Sequence, residues 1–198
     1  MQRFEGEICG FGTAAGIRAV IGRWVSSPFG AFADAMVERP DGRRSLIVPT
    51  PALGDYIGTV YEFDDIVVAD VVATRQPGEL RFDGGPLHAH VSIGDRDALG
   101  RVLRCIPRSI ATSVAWARLI DPFARVALRG VRTSGRTRGG RETYGATDRH
   151  RLVDVEATWD GRPLGALHDV DPPVRFGFSS TPTRPSIVAV TTTIRPID

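Results

Sequence analysis

The stretch AFADAMVERPDGRRSLIV, residues 31–48, decides the fold class. At its centre, Pro40-Asp41-Gly42 is a tight-turn signal, because a type I′ hairpin needs positive φ at two central positions and Asp-Gly supplies it. The turn separates Ala31–Arg39 from Arg43–Val48, and both flanks read as strands. The signal recurs at Trp159-Asp160-Gly161, between Arg149–Thr158 and the short run Pro163–Leu167. Pro77-Gly78 and Asp83-Gly84-Gly85 bracket another short strand, Glu79–Phe82, which the β-branched run Asp65–Thr74 precedes. Near the end, Val174–Ser179 and Ser186–Thr193 read as two more strands, split by Pro182 and Pro185.

Helices are fewer. Thr50-Pro51 has the form of an N-cap followed by proline at the first helical position, with Leu53, Ile57, Val60 and Tyr61 on one face. Asp95 is the expected cap of a second helix with Leu99, Val102, Leu103 and Ile106 as its buried stripe, stopped by Pro107. Trp116, Leu119 and Ile120 suggest a third between Ser113 and Val126, which Asp121-Pro122 is expected to break. Strands and helices do not alternate throughout, which argues against a doubly wound sheet. The expectation is a single domain over residues 1–198, mostly β (α+β): an antiparallel β-barrel or strongly bent sheet, with two to three helices inserted between residues 50 and 127.

A chain of 198 residues buries enough surface to need neither disulfide nor metal for stability. All 25 basic residues are arginine. Without lysine, side-chain Schiff-base chemistry is excluded. The arginine usage fits a codon bias towards Arg, Ala, Gly and Pro; the competing reading is selection for planar anion-binding forks. Net charge is +2, but Arg129–Arg151 holds seven arginines against Glu142 and Asp148. That segment is a solvated connection or a candidate anion site. Cys9 and Cys105 lie in apolar contexts without metal-like spacing, so buried, reduced thiols and a cytoplasmic location are expected. No signal peptide, spanning segment or membrane partner is expected.

Gly10-Phe11-Gly12-Thr13-Ala14-Ala15 matches a dinucleotide-binding pattern, with Asp34 at ribose distance. The charged segment before it and the hairpin after it favour a glycine-kinked strand pair instead. His88-Ala89-His90 puts two imidazoles on one strand face, a weak metal candidate without a fixed third ligand. Glu142, Tyr144, Asp148 and His150 share strand parity and form the densest titratable group. In Asp171–Ser180, Arg175 stands with Gly177 and Ser179 opposite Phe176 and Phe178, a face suited to a carboxylate ligand or to a structural ion pair. Hydrolase elbow, Walker, zincin and CxxC motifs are absent, and a stacking set for nucleic acid is missing.

Gly22-Arg23-Trp24 and Arg195 resemble the Gly-x-Trp and closing arginine of lipocalin-like calycin barrels. Ser27–Glu38 together with the later arginine-rich strand resembles the β-cone of acetoacetate-decarboxylase-like proteins. Both resemblances imply a β-barrel with an interior pocket. The decarboxylases use a lysine Schiff base that this chain does not have, so the resemblance implies a fold without that reaction.

The leading expectation is a small-molecule-binding protein whose ligand is a small organic acid or similar, contacted by Tyr144, His150 and Arg175. The alternative is a lysine-independent lyase or isomerase with Glu142 or His150 as general acid/base. A third reading is an interaction module using Arg129–Arg151. No cofactor is expected, nucleic acid is an improbable partner, and a homo-oligomer is left open.

Overall fold

Thirteen strands and four helices follow one another along the chain in the computed structural model, which describes residues 1–195. The first four strands are β1 (Gln2–Thr13), β2 (Arg18–Ser26), β3 (Phe32–Glu38) and β4 (Arg44–Val48). Helix α1 (Pro51–Val60) leads to β5 (Asp65–Val68), β6 (Val71–Gln76), β7 (Glu79–Gly84) and β8 (Leu87–Arg96). Three helices come next: α2 (Ala98–Cys105), the one-turn α3 (Arg108–Ala111) and α4 (Val114–Ala127). The chain ends with β9 (Ser134–Thr137), β10 (Gly140–Trp159), the short β11 (Arg162–Pro163) and β12 (Leu167–His168), and β13 (Ser186–Arg195).

The strands form one strongly curled, open sheet with the order β5-β4-β3-β2-β1-β13-β10-β8-β7-β6. All pairs on this path are antiparallel except β4 with β5. The Asp65–Thr74 run is two strands, broken at Ala69-Asp70. They form opposite edges of the sheet, so this two-residue connection brings its ends back towards each other. Both hairpins form, but only Asp160-Gly161, with φ 49° and 73°, has the expected type I′ angles; at Asp41-Gly42 Gly42 alone is left-handed, with φ 84°, and the connection is a three-residue loop closed by Arg39 and Arg43.

Alternation gives the central strands two apolar faces. On one, Cys9, Phe11, Ile21 and Ala35 pack with Leu80, Phe82 and Val91 into a closed core. On the other, Phe4, Ile8, Trp24, Phe32, Val188 and Val190 face α1, α2 and α4 across a cavity. The helices are capped by side chains. Thr50 accepts from the Leu53 amide and Ser113 from the Trp116 amide. Asp97, rather than Asp95, caps α2 through the Gly100 amide; β8 runs on past Asp95. Helix α4 continues through Pro122. The missing amide costs a bond to the carbonyl of Arg118, an exposed residue where water can replace it.

Val174–Ser179 is not a strand. Prolines flank it and remove ladder donors, and its backbone is held instead by Glu38, Ser180 and the Glu62 amide. The Gly10–Ala15 pattern lies within β1 and the turn into β2, with no helix after it to hold a phosphate. Cys105 is exposed at the end of α2, whereas Cys9 is buried as expected. Among the described residues no helix is long and apolar enough to cross a membrane.

Candidate functional site

The cavity has a volume of about 610 Å³. That lies within the range of small-molecule pockets, roughly 300–1,000 Å³. Its walls are overwhelmingly apolar, so the few polar groups in them stand out.

Glu142 and Tyr144 project into it from alternate positions of β10, and Tyr61 joins them from the C-terminal end of α1. Tyr61 Oη donates to Glu142 Oε1 at 2.5 Å and lies 2.8 Å from Tyr144 Oη. Close approach makes this possible: a Cβ on Gly177 would sit 2.7 Å from Tyr61 Cδ1. Phe178 stacks on Tyr144 with centroids 5.6 Å apart. Glu142 is fully buried, and its Oε2 has no hydrogen-bond partner among the described residues. Thr192, opposite Tyr144 in the β10–β13 ladder, also has an unpartnered hydroxyl in the cavity wall. Burial pushes the Glu142 carboxyl up to about 7 against the opposing pull of the Tyr61 and Tyr144 hydroxyls. Both tyrosines are raised well above their ordinary value, by burial first and then by the Glu142 charge.

A second carboxyl, Asp34 on β3, faces the same cavity. Trp24 Nε1 donates to its Oδ1 at 2.8 Å. Gly22 makes room for the pair, since a Cβ there would lie 2.5 Å from Oδ1 and 2.7 Å from Nε1. Burial raises Asp34 to about 7, and the Trp24 bond opposes it. The sequence pattern points to Asp34 only as a possible ribose contact. The signal that would have found it is an acid between Phe32 and Met36 on one strand face.

The structure brings Glu142 and Tyr144 together but not His150 or Asp148. A β-bulge between Ala146 and Asp148 adds Thr147 to the strand. The cavity-facing sequence therefore runs 142, 144, 146 and then 149. His150 and Asp148 lie on the other face. There Asp148 takes both Nε and Nη2 of Arg96, at 2.6 and 2.8 Å, and His150 Nδ1 lies 3.0 Å from the Gly94 carbonyl.

Arg175 also points away from the cavity. Its side chain is 71% exposed and bonds Glu38 Oε1 through Nε and Nη2. Glu38 is fully buried and holds Arg18 as well, at 3.1 Å. The structural ion pair is thus the reading that fits Arg175. The guanidinium groups in the wall are Arg132 and Arg149. Arg149 pairs with Asp97 at 2.9 Å, and Arg132 lies 3.7 Å from Asp121 and over the Phe178 ring.

His88 and His90 bind Asp83 and Glu79, at 2.9 and 2.8 Å. Among the described residues no group of three metal-ligating side chains exists. The Arg129–Arg151 arginines do not form one patch. Arg129, Arg138 and Arg151 each pair with a carboxylate, and Arg132 and Arg149 turn inward.

No protein-family model matches the chain, and no curated protein does. Among solved structures it is similar to acetoacetate decarboxylase from Legionella pneumophila, at 10% identity, over 98% of this chain and 83% of that one, with a TM-score of 0.46. The sequence resemblance named the same family. A likeness of this degree carries no argument about fold or chemistry.

Proposed function

We propose that this protein holds a largely apolar small molecule in the cavity under α1, α2 and α4, with the ligand's polar end at Glu142 and Thr192. The carrying observation is the unpartnered Glu142 Oε2 in the cavity wall. A buried oxygen without a partner costs about 1–3 kcal/mol, and a ligand group or water that pairs with it recovers that cost. Because Glu142 titrates near 7, it can accept from a hydroxyl or donate to a carbonyl.

This narrows the organic-acid expectation. The wall guanidiniums already face carboxylates, so a neutral alcohol, phenol or ketone fits better than a carboxylate. A thermal-shift screen of cyclic alcohols, ketones and their matching carboxylic acids tests it. The neutral compounds are expected to raise Tm and to lose at least about tenfold in affinity with Glu142→Ala. A shift by the acids alone, indifferent to Glu142, would overturn the reading.

One observation favours a second reading, lysine-independent acid–base catalysis: a carboxyl titrating near neutrality beside two tyrosine hydroxyls in a water-poor site. The Glu142 carboxylate would take a proton from the carbon next to a ketone while a tyrosine hydroxyl bonds the enolate oxygen. In a β,γ-unsaturated ketone the proton returns to the γ carbon of the dienolate as the double bond moves into conjugation, an isomerisation with no change of oxidation state. Deuterium uptake from D2O into a bound ketone, lost in Glu142→Gln, is the expected result. Absence of exchange in every ketone that binds would remove this reading and leave the binding one intact.

A further inference from the structure

The helical cap over the cavity has an unusual outer surface. Residues 98–131 carry six arginines against one acid, Asp121. Asp121 is buried, where it accepts from the Thr133 and Ser134 amides and pairs with Arg125 at 2.6 Å. It fixes α4 to β9 and takes up Arg125, while Arg108 and Arg129 pair with Glu5 and Asp171. Arg101, Arg104 and Arg118 are exposed, with no carboxylate within salt-bridge reach among the described residues.

The same helices carry exposed apolar side chains. Leu119, Phe123 and Val126 fall on one stripe of α4 and are 65%, 75% and 90% exposed. Val102 on α2 is 60% exposed. Val102 and Phe123 also line the cavity, so both helices carry exposed apolar side chains to its mouth.

We propose that the α2–α4 cap docks on an anionic lipid surface, laying Leu119, Phe123 and Val126 into the interface while the surrounding arginines meet the headgroups. Helices that lie in a membrane plane combine these elements: large apolar side chains on one stripe and arginines beside it. Each arginine near such a surface strengthens binding, and bulk salt weakens it. Charge complementarity selects this occupant. A second copy presenting the same face would set one arginine cluster against another. Docking needs no spanning segment, so it stands beside the absence of one; it departs from the expectation of no membrane partner, which rested on that absence. If the ligand reading also holds, the docked face is the one through which an apolar molecule passes from bilayer to cavity without crossing water.

Co-sedimentation tests it, with vesicles of phosphatidylcholine alone and of phosphatidylcholine mixed with phosphatidylglycerol. The full chain is expected to bind the mixed vesicles at least about tenfold more strongly, and less at high salt. Leu119→Asp with Val126→Asp is expected to abolish binding. Both side chains are solvent-exposed, so the fold is kept, as an unchanged Tm would show. Arg104→Glu with Arg118→Glu is expected to cost about fivefold or more per arginine.

No preference for anionic vesicles, or binding indifferent to these substitutions, overturns the proposal. So does a dimer in sedimentation velocity that Leu119→Asp/Val126→Asp splits while neither form binds vesicles, because a second copy then covers the face. Glu142→Gln separates the two readings. It is expected to keep vesicle binding, whether or not the cavity ligand is lost.

Discussion

The same strands build two unlike interiors. Residues 9 and 11 of β1, 19 and 21 of β2, and 33, 35 and 37 of β3 look into a core filled to contact by Leu80, Phe82, Leu87 and Val91. Residues 4 and 8, 20 and 24, and 32, 34 and 36 look into about 610 Å³ of open space. The filled side is closed by β6–β8 of the curled sheet. The hollow side is roofed by short helices and an irregular loop, which cannot follow the sheet's curvature as another layer of strands does. The two faces also differ in charge: both carboxyls raised to about 7, Asp34 and Glu142, stand on the hollow side. Packing to contact holds the protein together, and incomplete packing leaves room for a ligand and a reason to pay for buried acids.

The contrast can be broken or sharpened by four measurements. Leu80→Ala opens a void in the filled core and is expected to cost about 2–5 kcal/mol in urea unfolding. A cost below 1 kcal/mol would mean that this side is also loosely packed. Glu142→Gln comes next. Its folded carboxyl titrates near 7 against an ordinary 4.5, so between those values the native state holds a proton that the unfolded chain has lost. Wild-type stability therefore falls as pH rises from 4.5 to 7 and is flat with respect to this group above 7. Glutamine removes this slope and is expected to stabilise at pH 8 by up to about 3 kcal/mol, at 1.36 kcal/mol per pKa unit. Equal stabilities at pH 5 and pH 8 relative to wild type would show an ordinary carboxyl. Ile8→Ala, on the hollow face, widens space that already exists. It is expected to cost about 1 kcal/mol, less than the void term adds on the other side. Arg175→Ala removes a largely exposed partner of Glu38, which retains Arg18. It is expected to cost under about 1 kcal/mol and to leave cavity binding unchanged. Loss of ligand affinity would return Arg175 to the site.

Much of this architecture is legible in local chemistry. The hairpins at Gly42 and at Asp160-Gly161 need left-handed backbone angles that few residues adopt, so those residues announce them. Thr50-Pro51 announces α1 in the same way. Glu142 and Tyr144 were legible as neighbours because alternation holds over two residues. It fails over eight, because nothing in Ala146-Thr147-Asp148 signals a bulge, and His150 went to the wrong face with it. Val174–Ser179 misled for a related reason: its alternation is real, but prolines and distant side-chain acceptors decide its path. Local pattern marks Tyr61 on the apolar face of α1 and Asp34 between Phe32 and Met36, but that both meet Glu142 in one cavity rests on contacts far apart in sequence, which local pattern does not carry.

Thr147 also sets where this protein tolerates a change of length. As the extra residue in β10, it has no cross-strand partner in the β13 ladder, where Ala146 faces Val190 and Asp148 faces Ala189. Removing it would regularise the strand and still leave Ala146 and Arg149 facing inward. The same deletion inside the regular stretch at Thr143 or Gly145 would put one side of the cut out of register and exchange wall residues for outer ones. Within the stretch of β10 paired with β13, a deletion is therefore tolerated at Thr147 and ruinous two residues away, which makes this bulge a natural place for descendants of this chain to differ in length while keeping the same cavity wall.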